Sequence, residues 1–140
     1  MRAELIHRLL DDGLTPVIST VGANPEGHPY NVNADEAARA IAVAMKAEKI
    51  VYLTAVPGLL EDPTDESSLV QRLTAVELRD RIDHESVGKG MIPKLRACAD
   101  AVEQGVGFAH IIDGRVHHSL LIELLTDHGV GTMVKQEANW

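Results

Sequence analysis

Aromatic residues make up only 3% of this 140-residue sequence: one Phe, one Trp and two Tyr. An interior so short of rings has to be built on Ala, Leu, Ile and Val, and the hydrophobic content of 45% supplies them. Cys98 is the single cysteine, so no internal disulfide can form, and a reducing compartment, by default the cytoplasm, is expected. No apolar run approaches the roughly 18 residues of a membrane span. The opening MRAELIHRLLDDG also lacks the unbroken apolar core of a secretory leader. Positive charge is scarce, with 13 Lys and Arg against 21 Asp and Glu, a net charge of −8. Because the basic residues are scattered, neither nucleic acid nor an acidic membrane is an expected partner, and small ligands are. What remains is the composition of one globular domain, long enough to bury roughly 70% of its unfolded surface.

Apolar spacing divides the chain into alternating helices and strands. Leu5, Ile6, Leu9 and Leu10 repeat at helical intervals and Gly13 is a stop, after which TPVIS, 15–19, reads as a short buried strand. The turn-rich GANPEGHPY leads to Asn33, placed to cap a helix over about 34–47 with Glu36 at capping-box spacing. Ala34, Ala37, Ala38, Ile41 and Met45 are expected on one face, small enough to lie close on a sheet. IVYLT, 50–54, reads as a buried strand, and Pro57-Gly58 suits the centre of a type II turn. The polar EDPTDESS, 61–68, reads as an exposed loop.

Thr74 and Glu77 repeat the capping-box spacing ahead of AVELRDRID. Residues 91–104 form a helical pattern with Met91, Leu95, Cys98 and Val102 on one face, closed by Gly105. A strand over 108–112, a helix over 118–126 and a strand over 129–134 complete the series. This alternation implies an α/β fold with a mostly parallel sheet covered on both faces, and such sheets bind ligands at the carboxyl ends of their strands. The rule selects the loop from Ser19 to Asn31, Asn33 and Asp35, the turn after Leu53, and the loop feeding the helix at Met91.

Asp35 falls in the first turn of its helix, where the positive end of the macrodipole stabilises a carboxylate by about 0.3–1 kcal/mol. Asn33 as a cap and Asn31 as a turn residue complete a purely local reading. The convergence of all three beside a strand end leaves a ligand site open. Lys89 and Lys94, in SVGKGMIPK, place positive charge at a helix amino end, against the dipole. A phosphate between Lys94 and the N–H groups around Gly88 and Gly90 would reverse that penalty; two solvated lysines are the alternative. Neither a Walker loop nor GxGxxG is present, since GKG is not followed by Ser or Thr. The seven histidines include His117-His118, but no HxxxH pair or Cys partner supports a zinc site. No GxSxG occurs, and Cys98 reads as a core residue, so no metal centre or covalent nucleophile is expected.

YNVNAD, LTAVPGLL, GKGMIPK and HIIDGR stand in an order and spacing that resemble the carboxyl half of the acetylglutamate kinases, within the amino-acid kinase family. The resemblance covers residues 3–134. It implies a three-layer α/β/α sandwich with a mostly parallel sheet, of which this chain is the carboxyl-terminal, nucleotide-binding lobe only (1–134), followed by a tail, 135–140. The implied reaction moves the γ-phosphoryl group of ATP, carried with magnesium, onto the side-chain carboxylate of N-acetyl-L-glutamate in arginine biosynthesis. By this resemblance Asn31 holds acetylglutamate, Asp35 orients catalytic lysines, and Lys94 stabilises the transferring phosphoryl. Ala55, Val56, Pro57, Gly58, Leu59 and Leu60, with Ser86, Val87 and Gly88, enclose the nucleotide.

Two departures stand out. Ala55 occupies the place of the family's usual Asp in LTDVPG, removing a carboxylate from the nucleotide loop. The family's amino-terminal half, with its glycine-rich Lys-containing loop and most of the acetylglutamate pocket, has no counterpart here, so the chain alone is expected to have negligible activity. HIIDGR and LLIELLTDHGVGT are similar to the arginine-inhibited branch, which implies an effector pocket for L-arginine at His110, Glu123 and Gly129. A homo-oligomer of the family's type is expected only with the missing half. The alternatives are a carbamate or aspartate kinase, which YNVNAD beside HIIDGR disfavours, and a non-catalytic arginine- or nucleotide-binding module derived from the lobe. A fragment that needs its other half is a further alternative.

Overall fold

The structure, a computed structural model, describes residues 3–84, 87–88, 90–126 and 129–137. Helix α1 spans Glu4–Asp11 and strands β1 (Val21–Ala23) and β2 (Pro29–Asn31) form an antiparallel hairpin. Helix α2 (Ala34–Ala44) and strand β3 (Lys49–Thr54) follow, then a short 3-10 turn at Glu66–Ser68. Strand β4 (Arg72–Thr74) runs directly into α3 (Ala75–Asp83). Helix α4 (Ile92–Glu103), strand β5 (Phe108–Asp113), helix α5 (Ser119–Leu125) and strand β6 (Thr132–Lys135) complete the order.

The main sheet has the order β3-β5-β6-β4. The β3/β5 and β4/β6 pairs are parallel and β5/β6 is antiparallel, so the sheet is mixed but mostly parallel. In the β3/β5 register Ile50 meets Ala109, Tyr52 meets Ile111 and Thr54 meets Asp113. Side chains alternate across a strand, so Ile50, Tyr52, Ala109 and Ile111 share one face with Val134, and all five belong to the core against which Leu78, Leu95, Cys98 and Val102 pack. His110 lies on the opposite face, where Glu123 of α5 meets it. Helices on both faces of the sheet give the expected three layers. Arg79 ties α3 to α4 through hydrogen bonds to Asp100 and Glu103.

Local signals explain most of the boundaries. Thr74 accepts from the Glu77 N–H at 3.2 Å while Glu77 Oε2 accepts from the Thr74 N–H at 2.7 Å, the complete capping box that the spacing predicts. Gly105, at φ 99°, ends α4. The face of α4 is as expected, with Leu95, Cys98 and Val102 buried.

Four expectations are corrected. Residues 15–19 form no strand: Val17 is 97% exposed and Ile18 48%. β-branched side chains favour a pleated neighbour rather than a lone extended chain, and no strand among the described residues lies alongside this segment. On α2 the buried position is Ala42, with Ala38 and Val43 packed on the core, whereas Ala34 is exposed; the apolar stripe is rotated toward α4. Asn33 caps α2 by accepting from the N–H groups of Asp35 (3.0 Å) and Glu36 (3.2 Å), but Glu36 turns away to Arg39 at 2.8 Å, so the box is half made. Finally, Gly58 has φ 157°, far from the value near 80° of a type II turn. That positive φ already favours glycine there, and packing requires it, since a Cβ would lie 2.5 Å from Thr132 Oγ1.

Candidate functional site

The amino ends of α2 and α4 meet over β3. Asp35, in the first turn of α2, and Lys94, in the first turn of α4, form an ion pair with Lys94 Nζ 2.6 Å from Asp35 Oδ1. Their side chains keep 26% and 19% of their exposure, so the pair is reachable from solvent without being fully hydrated. The ammonium that stood against the α4 dipole is thus balanced by a carboxylate as well as available to an anion. Among the described residues the α4 amino terminus has no side-chain cap, its N-cap being Met91, and Gly88 and Gly90 carry no atom that would crowd an approaching group. A ring face belongs to the same cluster: Lys94 Nζ lies 5.1 Å from the centroid of Tyr52, whose hydroxyl donates to the Asp35 carbonyl at 3.4 Å. Burial, with the nearby Cys98 and Asp35, pushes the Tyr52 phenol up, so it stays a neutral donor.

The turn after β3 divides into an exposed and a buried half. Ala55 is exposed and Val56 and Pro57 are half-buried, whereas Gly58 and Leu59 are buried. Thr54 closes the turn by donating to the Val56 carbonyl at 2.7 Å and accepting from the Val56 N–H at 3.0 Å. The Leu59 N–H donates to Thr132 Oγ1 at 2.8 Å, and Leu60 bridges Leu69. Only 55–57 are therefore free to face a ligand; 58–60 anchor the turn to β6 and the neighbouring loop. Asn31 ends β2, exposed, on the approach to Asn33 and Asp35. Val87 is buried and Gly88 exposed, while Ser86 and Lys89 lie outside the described residues.

His110, Glu123 and Gly129, far apart in the chain, come together on the other face of the sheet. His110 Nδ1 lies 2.7 Å from Glu123 Oε1, with both side chains almost wholly buried. The Val130 N–H donates to Glu123 Oε2 at 2.7 Å, and a Cβ at Gly129 would sit 3.0 Å from the same oxygen. Burial pushes the Glu123 carboxyl up, but the hydrogen bonds from His110, Val130 and Gly131 outweigh it and hold the group below its usual range. With Glu123 ionised, the Nδ1–H of His110 donates to it, which leaves Nε2 as the second polar atom of the ring. That atom is buried without a hydrogen-bond partner among the described residues. It borders a cleft of about 520 Å³ lined also by Lys49, Arg72, Phe108, Thr126 and Met133. Each oxygen of Glu123 thus accepts a hydrogen bond from within the fold and keeps acceptor capacity for a further donor.

Two groups escaped the sequence reading. Tyr52 read as a buried strand residue, and only the fold shows its ring against Lys94. Asp113, at the carboxyl end of β5 beside Thr54, is 6% exposed and accepts from Arg115 Nη2 at 2.7 Å and from the Arg115 N–H at 2.9 Å. The Arg115 guanidinium holds the Asp113 carboxyl below its usual range. The DGR triplet was the available signal, since an acidic residue two places before an arginine across a tight turn favours this closure. Among the described residues no group of three or more His, Cys, Asp or Glu could hold a metal ion, and no helix is long and apolar enough to cross a membrane.

The profile of the amino acid kinase family matches residues 1–113. An acetylglutamate kinase of Symbiobacterium thermophilum is 54% identical over 131 residues, which is 94% of this chain and 45% of that protein. The N-acetylglutamate synthase of Neisseria gonorrhoeae, solved with coenzyme A and L-arginine, superposes with a TM-score of 0.89 at 30% identity over 99% of this chain and 31% of its own. The carbamate kinase of Giardia lamblia bound to AMP-PNP shares the fold, with a TM-score of 0.71 at 19% identity over 96% of this chain and 44% of its own. The chain thus spans about half the length of the curated relatives it matches. On its sequence, its mixed sheet and the motifs gathered at the carboxyl end of β3, the chain belongs to the amino-acid kinase family.

Proposed function

We propose that this chain is the nucleotide-binding half of an acetylglutamate kinase. The observation that carries the proposal is the Lys94–Asp35 pair, 2.6 Å apart where the amino ends of two helices converge. Two helix amino termini and an ammonium make that corner favourable for a polyanion. In the reaction a carboxylate oxygen of N-acetyl-L-glutamate attacks the γ-phosphorus of ATP, the bond from that phosphorus to the bridging oxygen breaks, and ADP leaves. Such a transfer asks the protein for alignment and for neutralisation of charge on the moving phosphoryl oxygens. Lys94 supplies the charge, Asp35 sets the direction of its ammonium, and Asn31 donates its amide to acetylglutamate. Residues 55–57 of the turn after β3, with Ser86 and Gly88, face the nucleotide, while 58–60 and the buried Val87 support the turn and the loop from beneath. Asp35 already pairs with Lys94, so a magnesium ion would come to this corner with the nucleotide, where it would neutralise phosphate charge.

A second reading concerns the opposite face. His110 Nε2, without a hydrogen-bond partner among the described residues, and the ionised Glu123 line a cleft that suits a polar, cationic ligand such as L-arginine, which supports an effector pocket or a non-catalytic arginine-binding module. The test is phosphoryl transfer, with the acyl phosphate trapped by hydroxylamine, using this chain alone and mixed with the unmatched half of the Symbiobacterium thermophilum enzyme. Turnover is expected only in the mixture and is lost with Lys94→Ala. A stable mixed complex without turnover would overturn the kinase reading; turnover by the chain alone would overturn the claim that half the site lies elsewhere.

A further inference from the structure

Tyr52 touches both members of the Lys94–Asp35 pair. It stands in β3, 5% exposed, with its ring face toward the Lys94 ammonium at 5.1 Å and its hydroxyl on the Asp35 backbone carbonyl. An ion pair by itself fixes a lysine poorly, because four rotatable bonds can carry the ammonium around a carboxylate in many ways. A ring beneath it adds a second direction of attraction, since the negative face of the aromatic quadrupole draws a cation within about 6 Å. The hydroxyl in turn ties the ring to the helix that carries Asp35. The other buried residues of this core are Leu, Ile, Val, Ala or Cys, so a ring is the exception in an aliphatic interior.

We propose that Tyr52 is a positioning residue for the phosphoryl-transfer site, holding the Lys94 ammonium above β3 where it meets the nucleotide phosphates. The proposal rests on the kinase reading for its purpose, but not for its geometry. The ring presents a flat attractive surface, so Lys94 moves across it toward an incoming phosphate and away from Asp35 without swinging into solvent.

The test labels the lysines of the 140-residue chain with a trace of acetic anhydride and compares Lys94 with the exposed Lys49 by mass spectrometry. Affinity for a non-hydrolysable ATP analogue with magnesium is measured in parallel. Tyr52→Leu is expected to raise the relative labelling of Lys94 by roughly threefold and to weaken analogue binding by a similar factor, while Tyr52→Phe keeps both within about twofold of the parent. Should Tyr52→Leu not fold, 3,4,5-trifluorophenylalanine at position 52 is compared with Tyr52→Phe. The fluorines weaken the quadrupole while keeping a ring in place, and a rise in Lys94 labelling is again expected. Unchanged Lys94 labelling in Tyr52→Leu, or in the fluorinated variant, would overturn the proposal even if thermal stability fell, because a residue that only packs would behave that way. Failure of the kinase reading is seen separately, as no analogue binding by the parent chain; a labelling change would then still support the positioning of Lys94 by Tyr52.

Discussion

Glu123 shows how much a single buried carboxylate can organise. One oxygen accepts from His110 and the other from the Val130 N–H, so the group joins β5, α5 and the loop into β6. Glu123→Ala removes the acceptor shared by His110, Val130 and Gly131, and a loss of about 2–5 kcal/mol in unfolding free energy is expected by denaturant titration. A change below about 1 kcal/mol would mean that water takes over those bonds. At this scale the sequence was legible in type but not in pairing. Asp35 and Lys94 stood out singly, one favoured and one disfavoured by a helix dipole, yet their contact spans 59 positions and no local rule brings them together. Tyr52 gave no signal, because an aromatic residue in an apolar strand reads as core whatever lies above its ring.

Elements were legible where the stabilising contact is local. The Thr74–Glu77 box closes within one turn, and the sequence announces it; the Asn33–Glu36 spacing is identical, yet Glu36 bonds Arg39 one turn on instead. Thr74→Ala is expected to cost about 1 kcal/mol at neutral pH. The hydrogen bonds from Thr74 hold the Glu77 carboxyl below its usual 4.5, so the capped helix gains stability that is complete above pH 4.5 and lost as the pH falls through the lower folded value. The difference between parent and variant should therefore shrink below pH 4.5, which denaturant titrations at several pH values would check. A strand is less legible than a cap because it needs a neighbour. TPVIS has strand chemistry but no pairing partner among the described residues, so side chains suited to a sheet remain in solvent.

For the whole molecule, the fold class followed from the alternation of elements, and the mixed sheet with helices on both faces agrees with it. The antiparallel β5/β6 pairing was not readable, because strand order depends on contacts between distant segments. Exposed apolar residues recur in the segment before the first residue expected to touch a ligand, with Leu5 at 67%, Leu14 at 55%, Val17 at 97% and Val21 at 64%, and others, Val76 and Leu125 among them, lie elsewhere. A core that instead lies under α2, α3 and α4 leaves the Lys94–Asp35 corner on a well-supported platform, whatever covers that region. The account's central claim is that this corner binds a nucleotide. Calorimetric titration of the 140-residue chain with magnesium and a non-hydrolysable ATP analogue, repeated with Lys94→Ala, tests it most directly. Saturable binding that weakens at least tenfold in the variant, about 1.4 kcal/mol, is predicted; no binding by the parent chain, or equal binding by the two, would contradict it.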